Sequence, residues 1–160
     1  VDPGSAFSGF DLILRLGSAV LAGAVIGLNR DLRDRPAGVR THALVGLGAA
    51  TVVLVALELP GDPERAGAVA RAVQGVLTGI GFLGAGVIVH QRDRKTVRGL
   101  TTAATIWVTA ALGLACGLGR WMLVGTGIVL GLTVLLGGGP LERGVRHLMR
   151  KPPAPDSETD

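Results

Sequence analysis

Tyrosine is missing from this 160-residue chain, phenylalanine occurs three times, and there is one cysteine, Cys116. A lone thiol excludes an internal disulfide, and without a second cysteine there is no zinc–thiolate site. Cys116 therefore reads as small packing. His42, His90 and His147 show no metal-ligand spacing. Neither a G-x-S-x-G elbow nor a P-loop occurs. The residues thus give no support to an enzyme, a cofactor or a metal site. Charge is scarce too: 18% of residues are charged, against about 25% in soluble domains.

Present in quantity are glycine, with 26 residues, and the small and branched apolar side chains; the apolar set makes up 48% of the chain. That palette suits close helix packing in lipid. The charges fall in bunches and leave long uncharged spans at residues 72–89, 99–119 and 121–141, a shorter one at 43–57, and one at 11–28 broken only by Asp11 and Arg15. A bilayer's hydrocarbon core takes about 20 apolar residues as a helix. The expectation is an all-α membrane protein with five transmembrane helices, near 11–29, 41–59, 72–90, 100–118 and 121–138.

One string, GIGFLGAG at 79–86, contains G-x-G-x-x-G, the dinucleotide-binding fingerprint. That fingerprint works between a strand and a helix, with an acid about 20 residues on. Here it sits inside a span that must be helical to cross lipid, and no acid lies near Gly99. The glycines read instead as helix-packing positions. Small-xxx-small spacings recur at Gly23/Gly27, Gly75/Gly79, Gly113/Gly117 and Gly127/Gly131, with Gly81, Gly84 and Gly86 continuing the third helix. They suit a compact bundle or a self-association face, and spacing alone does not separate the two.

Lys and Arg mark the cytoplasmic side of a membrane protein. Arg30, Arg33, Arg35 and Arg40 follow helix 1, Arg92, Arg94, Lys95 and Arg98 follow helix 3, and Arg143, Arg146, Arg150 and Lys151 follow helix 5. The opposite side carries only Arg65, Arg71 and Arg120, with Arg15 inside helix 1. The N-terminus is expected outside and the C-terminus inside. This asymmetry accounts for the net charge of +4 without nucleic acid. Residues 1–10 read as a disordered N-terminus or an expression remnant, too short and polar for a signal peptide. Residues 139–151 read as a basic amphipathic juxtamembrane helix and 152–160 as a disordered tail.

On this topology polar groups gather at the cytoplasmic helix ends: Asn29, Arg30 and Asp31 close helix 1, Arg40, Thr41 and His42 open helix 2, and Arg98, Thr101 and Thr102 open helix 4. Such a cluster either binds an anionic group or locks the helix ends. Arginine at a helix end snorkels to headgroups without any site, and threonine in a membrane helix bonds its own backbone. Asp11 and Arg15 stand at i, i+4 in the order that favours pairing. Arg15 precedes Asn29 by about 21 Å of helix, which places a charge roughly 9 Å inside a ~30 Å core. It is either a structural ion pair or a functional group.

The blocks GLNRDLRDRPAGVRTHALVGLGA, GVLTGIGFLGAGVIV and VRGLTTAATIWVTAALGLACGLG resemble the MgtC/SapB family of bacterial inner-membrane proteins over roughly residues 11–138. The resemblance implies a five-helix membrane domain in the bacterial inner membrane. It also implies a link to growth in low magnesium, to acid tolerance and, in pathogens, to survival inside macrophages. Some members are labelled magnesium transport proteins and others look like regulators of membrane proteins. The family pattern at the end of helix 1 is Glu-Arg-Glu or similar, where this chain has Asn29-Arg30-Asp31. Some members carry a further ACT-like domain, so this chain resembles the short form.

Three functions stay open at this point. One is a regulatory or accessory membrane protein that binds a second copy or another membrane protein through its glycine faces. The second is a Mg²⁺ or other ion transporter, disfavoured because Mg²⁺ is held through carboxylates and retained waters and Asp11 is the one carboxylate well inside the spans. The third is a module binding an anionic ligand or lipid headgroup at the arginine cluster. The expected partners are the bilayer, the protein itself and another membrane protein.

Overall fold

The structure is a computed structural model that describes residues 7–89 and 99–149. It contains five α-helices: α1 Gly9–Asp31, α2 Val39–Leu57, α3 Asp62–Val89, α4 Leu100–Gly117 and α5 Trp121–Leu148. All five are long and apolar enough to cross a membrane. Connections are short where they are described, so successive helices run in opposite directions.

The ends of α1 and α4 follow from local chemistry. At the close of α1 the Arg35 amide donates to the Arg30 carbonyl and the Asp34 amide to the Asp31 carbonyl. This is a Schellman motif with Asp34 in the left-handed region at φ 50°. The same pattern ends α4, where Arg120 donates to Ala115 and Gly119 to Cys116, with Gly119 at φ 67°. The short loop after α1 then turns back so that Val39 donates its amide to Asp31 Oδ2 at 2.9 Å. A carboxylate from α1 thereby caps the first turn of α2, a position favoured by the free N–H groups and the helix dipole.

Helix α4 is central and touches the other four, whereas α3 and α5 do not meet among the described residues. Helix α3 lies against α2 and α4, and α5 against α1 and α4. Two small apolar clusters fill the interior. One joins Ala19, Ala22, Ala50, Cys116 and Val124. The other joins Ala49, Val53, Ala110 and Leu114, and receives Val69, Val73, Val76, Leu77 and Ile80 from one stripe of α3. Many outward positions are large and apolar, such as Phe82, Met122 and Val134, as expected of surfaces solvated by lipid.

Several sequence expectations need adjusting. Helix α1 begins two residues before 11, because Ser8 caps it by accepting from the Asp11 amide. Helix α3 begins at Asp62 rather than near 72: the Asp62 and Glu64 carboxylates suit a first helical turn, so the helix runs past its apolar span. Residues 139–148 continue α5 through Pro140 instead of forming a separate juxtamembrane helix. Residues 1–6 and 150–160 lie outside the described residues.

Candidate functional site

The polar groups of the bundle's interior line up on α4. Thr102, Thr105 and Thr109 recur at helical spacing on one face, and Gly113 and Cys116 continue it. At the end of the bundle where α1 closes and α2 and α4 open, this face meets two buried cationic or titratable side chains. Arg30 Nη2 donates to Thr102 Oγ1 at 2.8 Å. His42, fully buried, places Nε2 3.1 Å from Thr105 Oγ1 and Nδ1 3.0 Å from the Gly38 carbonyl. A carbonyl only accepts, so Nδ1 carries a hydrogen. The Thr105 hydroxyl has one hydrogen and two acceptors in reach, Nε2 of His42 and the Thr102 carbonyl at 2.8 Å.

Arg30 is the outlier in this group. It is only 5% exposed. Among the described residues it has no carboxylate partner, and its sealed Nε has no hydrogen-bond acceptor. The neighbouring Asn29 Oδ1 is likewise buried and unpartnered. The nearby charges that act on Arg30 most are Arg35 and Arg33, both of its own sign. Asp31, next in sequence, is turned away to the α2 cap. A buried cation without a counter-charge is costly, and buried polar atoms without partners are few in folded proteins.

The other expected members of the cluster are placed differently. Arg40 and Thr41 are exposed and make no hydrogen bond or ion pair among the described residues. Thr101 is exposed too, and it lines a groove. Arg98 lies outside the described residues. Thus Arg30, not Arg40, is the arginine that α4 receives. Helical phase carries the signal: Arg30 stands seven residues after Gly23 and three after Gly27, on the stripe that faces α2, whereas Arg40 stands two residues before His42 and so nearly opposite it.

At the far end of the bundle Arg15 Nε donates to Asp11 Oδ2 at 2.8 Å. Its Nη1 donates to the carbonyl of Gly117, the last residue of α4, at 2.7 Å. The Phe7 ring lies 4.9 Å from the guanidinium carbon. The ion pair therefore also ties α1 to the C-terminus of α4, where a cation is favoured by the helix dipole.

Glycines divide into two groups. A Cβ on Gly27 would lie 2.6 Å from Val39 Cα, and one on Gly23 would run into the His42 carbonyl; these set the approach of α1 to α2. A Cβ on Gly113 would lie 2.9 Å from Gly46 Cα, and one on Gly117 2.9 Å from the Ala50 carbonyl, on the α2–α4 seam. On α3 the outcome differs. Gly75, Gly79, Gly81 and Gly86 have nothing within 4 Å, and a Cβ on Gly84 would make ordinary contact with Ala103 at 3.4 Å. Of the two roles left open for the glycine spacings, the α3 glycines do not take the first among the described residues: the Val69–Ile80 stripe packs inward and turns Gly75, Gly79 and Gly86 outward beside Gln74, Thr78 and Phe82.

A bundle of five apolar spans with a small polar interior defines a multi-pass α-helical membrane protein. Residues 16–144 match the model described as the MgtC family, and the chain belongs to that family. It is 50% identical to "Protein SrpB" of Synechococcus elongatus over 141 residues, covering 82% of this chain and 77% of that protein. It is 46% identical to "Protein MgtC" of Salmonella typhimurium over 129 residues, covering 79% of this chain and 53% of that protein. With "Protein MgtC" of Brucella abortus the identity is 45% over 104 residues, 65% of this chain and 41% of that protein. The chain therefore spans about half of the MgtC proteins it matches. No solved structure matches it.

Proposed function

We propose that this chain is a regulatory or accessory protein of the bacterial inner membrane, with its N-terminus outside and the arginine end of the bundle in the cytoplasm. It acts by docking a transmembrane helix of another protein, or of a second copy, on the outward face of α3. The observation that carries this reading is the bare stretch of Gly75, Gly79 and Gly86, which no described residue covers. Small residues at this spacing let two backbones approach closely in lipid, and the adjacent amide of Gln74 and hydroxyl of Thr78 supply polar contacts of the kind that join helices there. The role in growth at low magnesium, acid stress or virulence is carried over from the family resemblance and from relatives named MgtC.

Ion transport is less well supported. Mg²⁺ sites use carboxylates and retained waters. Among the described residues no three His, Cys, Asp or Glu side chains converge, Asp11 is engaged by Arg15, and Asp31 caps α2. The second reading, an anionic group bound at the cytoplasmic end, is favoured by Arg30, which is buried without a described counter-charge.

The test is a pair of measurements on one set of proteins. Purified chain in liposomes is expected to conduct no Mg²⁺ above empty vesicles. A deletion strain that grows poorly in low magnesium is expected to be rescued by the wild-type chain and not by Gly79→Leu at equal membrane abundance. Mg²⁺ flux that scales with protein, or full rescue by Gly79→Leu, contradicts the reading.

A further inference from the structure

A groove of about 350 Å³ opens between α4 and α5. That is within the size range of small-molecule pockets. Ile26 of α1 forms its floor, Thr101, Ala104, Thr105 and Val108 one wall, and Gly127 to Leu135 of α5 the other. From Thr101 to Val108 it runs about 10 Å along α4. The lining is apolar except at the Thr101 end. That end adjoins Arg30, a buried cation with no carboxylate partner among the described residues: Thr102, next to Thr101, accepts from Arg30, and Arg30, not itself in the lining, stands one helical turn beyond Ile26.

We infer that this groove and Arg30 together form a binding site for one anionic phospholipid of the leaflet at the arginine end, with an acyl chain in the groove and the phosphate at Arg30. The inference rests on the reading of Arg30 as an anion site and goes further by naming the ligand. Three observations converge on it. The groove opens between two membrane spans, where acyl chains are the solvent that fills it. Arg30 uses one of its donors on a neutral hydroxyl, and the same-sign Arg33 and Arg35 act on it from the adjoining loop, so the charge that complements this end is negative. Bare backbone at Gly131 keeps the groove open: among the described residues a Cβ there would meet only Ile26 Cδ1, at 3.7 Å, whereas one on Gly127 would run into Leu112 Cδ2 at 2.8 Å, where α4 and α5 touch. Arginine is suited to the role because its planar fork grips phosphate oxygens through paired N–H donors. The exposed hydroxyl of Thr101 offers the headgroup a further contact.

The test compares phosphatidylglycerol with phosphatidylethanolamine of identical acyl chains, and with inorganic phosphate, on the full chain in detergent. Thermal unfolding is followed by the fluorescence of Trp107 and Trp121, and native mass spectrometry reads the lipid retained after delipidation. The wild-type chain is expected to retain one phosphatidylglycerol with about tenfold preference over phosphatidylethanolamine, the size expected from one charge-assisted contact, and to gain thermal stability from it. Arg30→Gln is expected to lose the preference, Arg40→Gln to keep it, and Gly131→Leu, which fills the groove, to lose retention of both lipids. Equal retention of the two lipids by the wild-type chain overturns the proposal, and this arm needs no variant to fold. Full preference in Arg30→Gln or Gly131→Leu also overturns it. If inorganic phosphate alone reproduces the stabilisation, the lipid site fails while the anion reading of Arg30 stands. If neither phosphate nor phosphatidylglycerol acts, both fail.

Discussion

Replacing Gly113 by alanine puts a methyl group 2.9 Å from Gly46 Cα and 3.0 Å from Ala49 Cβ, on the seam between α2 and α4. Carbon atoms rest at about 3.5–4.0 Å, so the two helices must part by roughly 0.5–1 Å. Neither neighbour is the end of a flexible side chain, and the strain falls on backbone. The separation also loosens the contacts of Ala49, Val53, Ala110 and Leu114, which form one buried cluster on this seam. Overpacking of this kind costs about 1–3 kcal/mol. The better helix propensity of alanine returns up to about 1 kcal/mol, which leaves a net loss of about 0–2 kcal/mol, at the upper end here because the methyl also runs into the Gly46 carbonyl. Gly79→Ala is the matched control, because nothing lies within 4 Å of its Cβ position. It is expected to be neutral or to stabilise the isolated chain by roughly 0.5–1 kcal/mol. Unfolding both variants and the wild-type chain in mixed micelles, followed by tryptophan fluorescence, gives the comparison. If Gly113→Ala matches the wild-type chain, or Gly79→Ala is the less stable of the two, the assignment of close approach to the α2–α4 seam is wrong.

Other consequences follow from single contacts. Asp31→Ala removes the side-chain cap of α2 and is expected to cost about 1 kcal/mol in the same unfolding assay, while Asp31→Asn retains most of it; equal loss in the two variants would show that charge and not the cap matters. Arg15→Gln breaks the links to Asp11 and to the Gly117 carbonyl and is expected to cost about 1.5–3 kcal/mol, with faster proteolysis after Arg120; a neutral effect would show that the ion pair is not structural. For topology, a membrane-impermeant thiol reagent on intact cells is expected to label Gly61→Cys and not Asp93→Cys, with little background from the buried native Cys116. The reverse pattern would invert the orientation.

The number and order of the helices were legible because lipid imposes one length on every span, and a break in charge reads as a helix end. Helix limits were not: Asp62 and Glu64 start α3 where a polar loop was expected, since acids also favour a first turn. Of the arginine end, the residue types were legible and the choice among them was not. Arg30 and Arg40 look alike in composition, and only the facing of α1 toward α2 and α4 decides that Arg30 is buried. Thr105 holds His42, a pairing visible only once α2 and α4 are seen to cross at Gly46 and Gly113. The α3 glycines show the converse. Their spacing marks a contact surface without saying whose, and the apolar stripe from Val69 to Ile80, equally visible in the sequence, is the one that packs within the chain.

The most direct test of the account is the occupancy of that outward α3 face in living cells. A photo-activated cross-linking residue in place of Phe82, which is 82% exposed beside the glycines, is expected to trap a protein adduct of one defined mass in the membrane fraction. The same residue in place of Met122 on α5, equally exposed, should not. The adduct should vanish with Gly79→Leu while membrane abundance and thermal stability stay unchanged. Adducts to lipid alone at residue 82, or a protein adduct that survives Gly79→Leu, would contradict the claim that this face docks a helix.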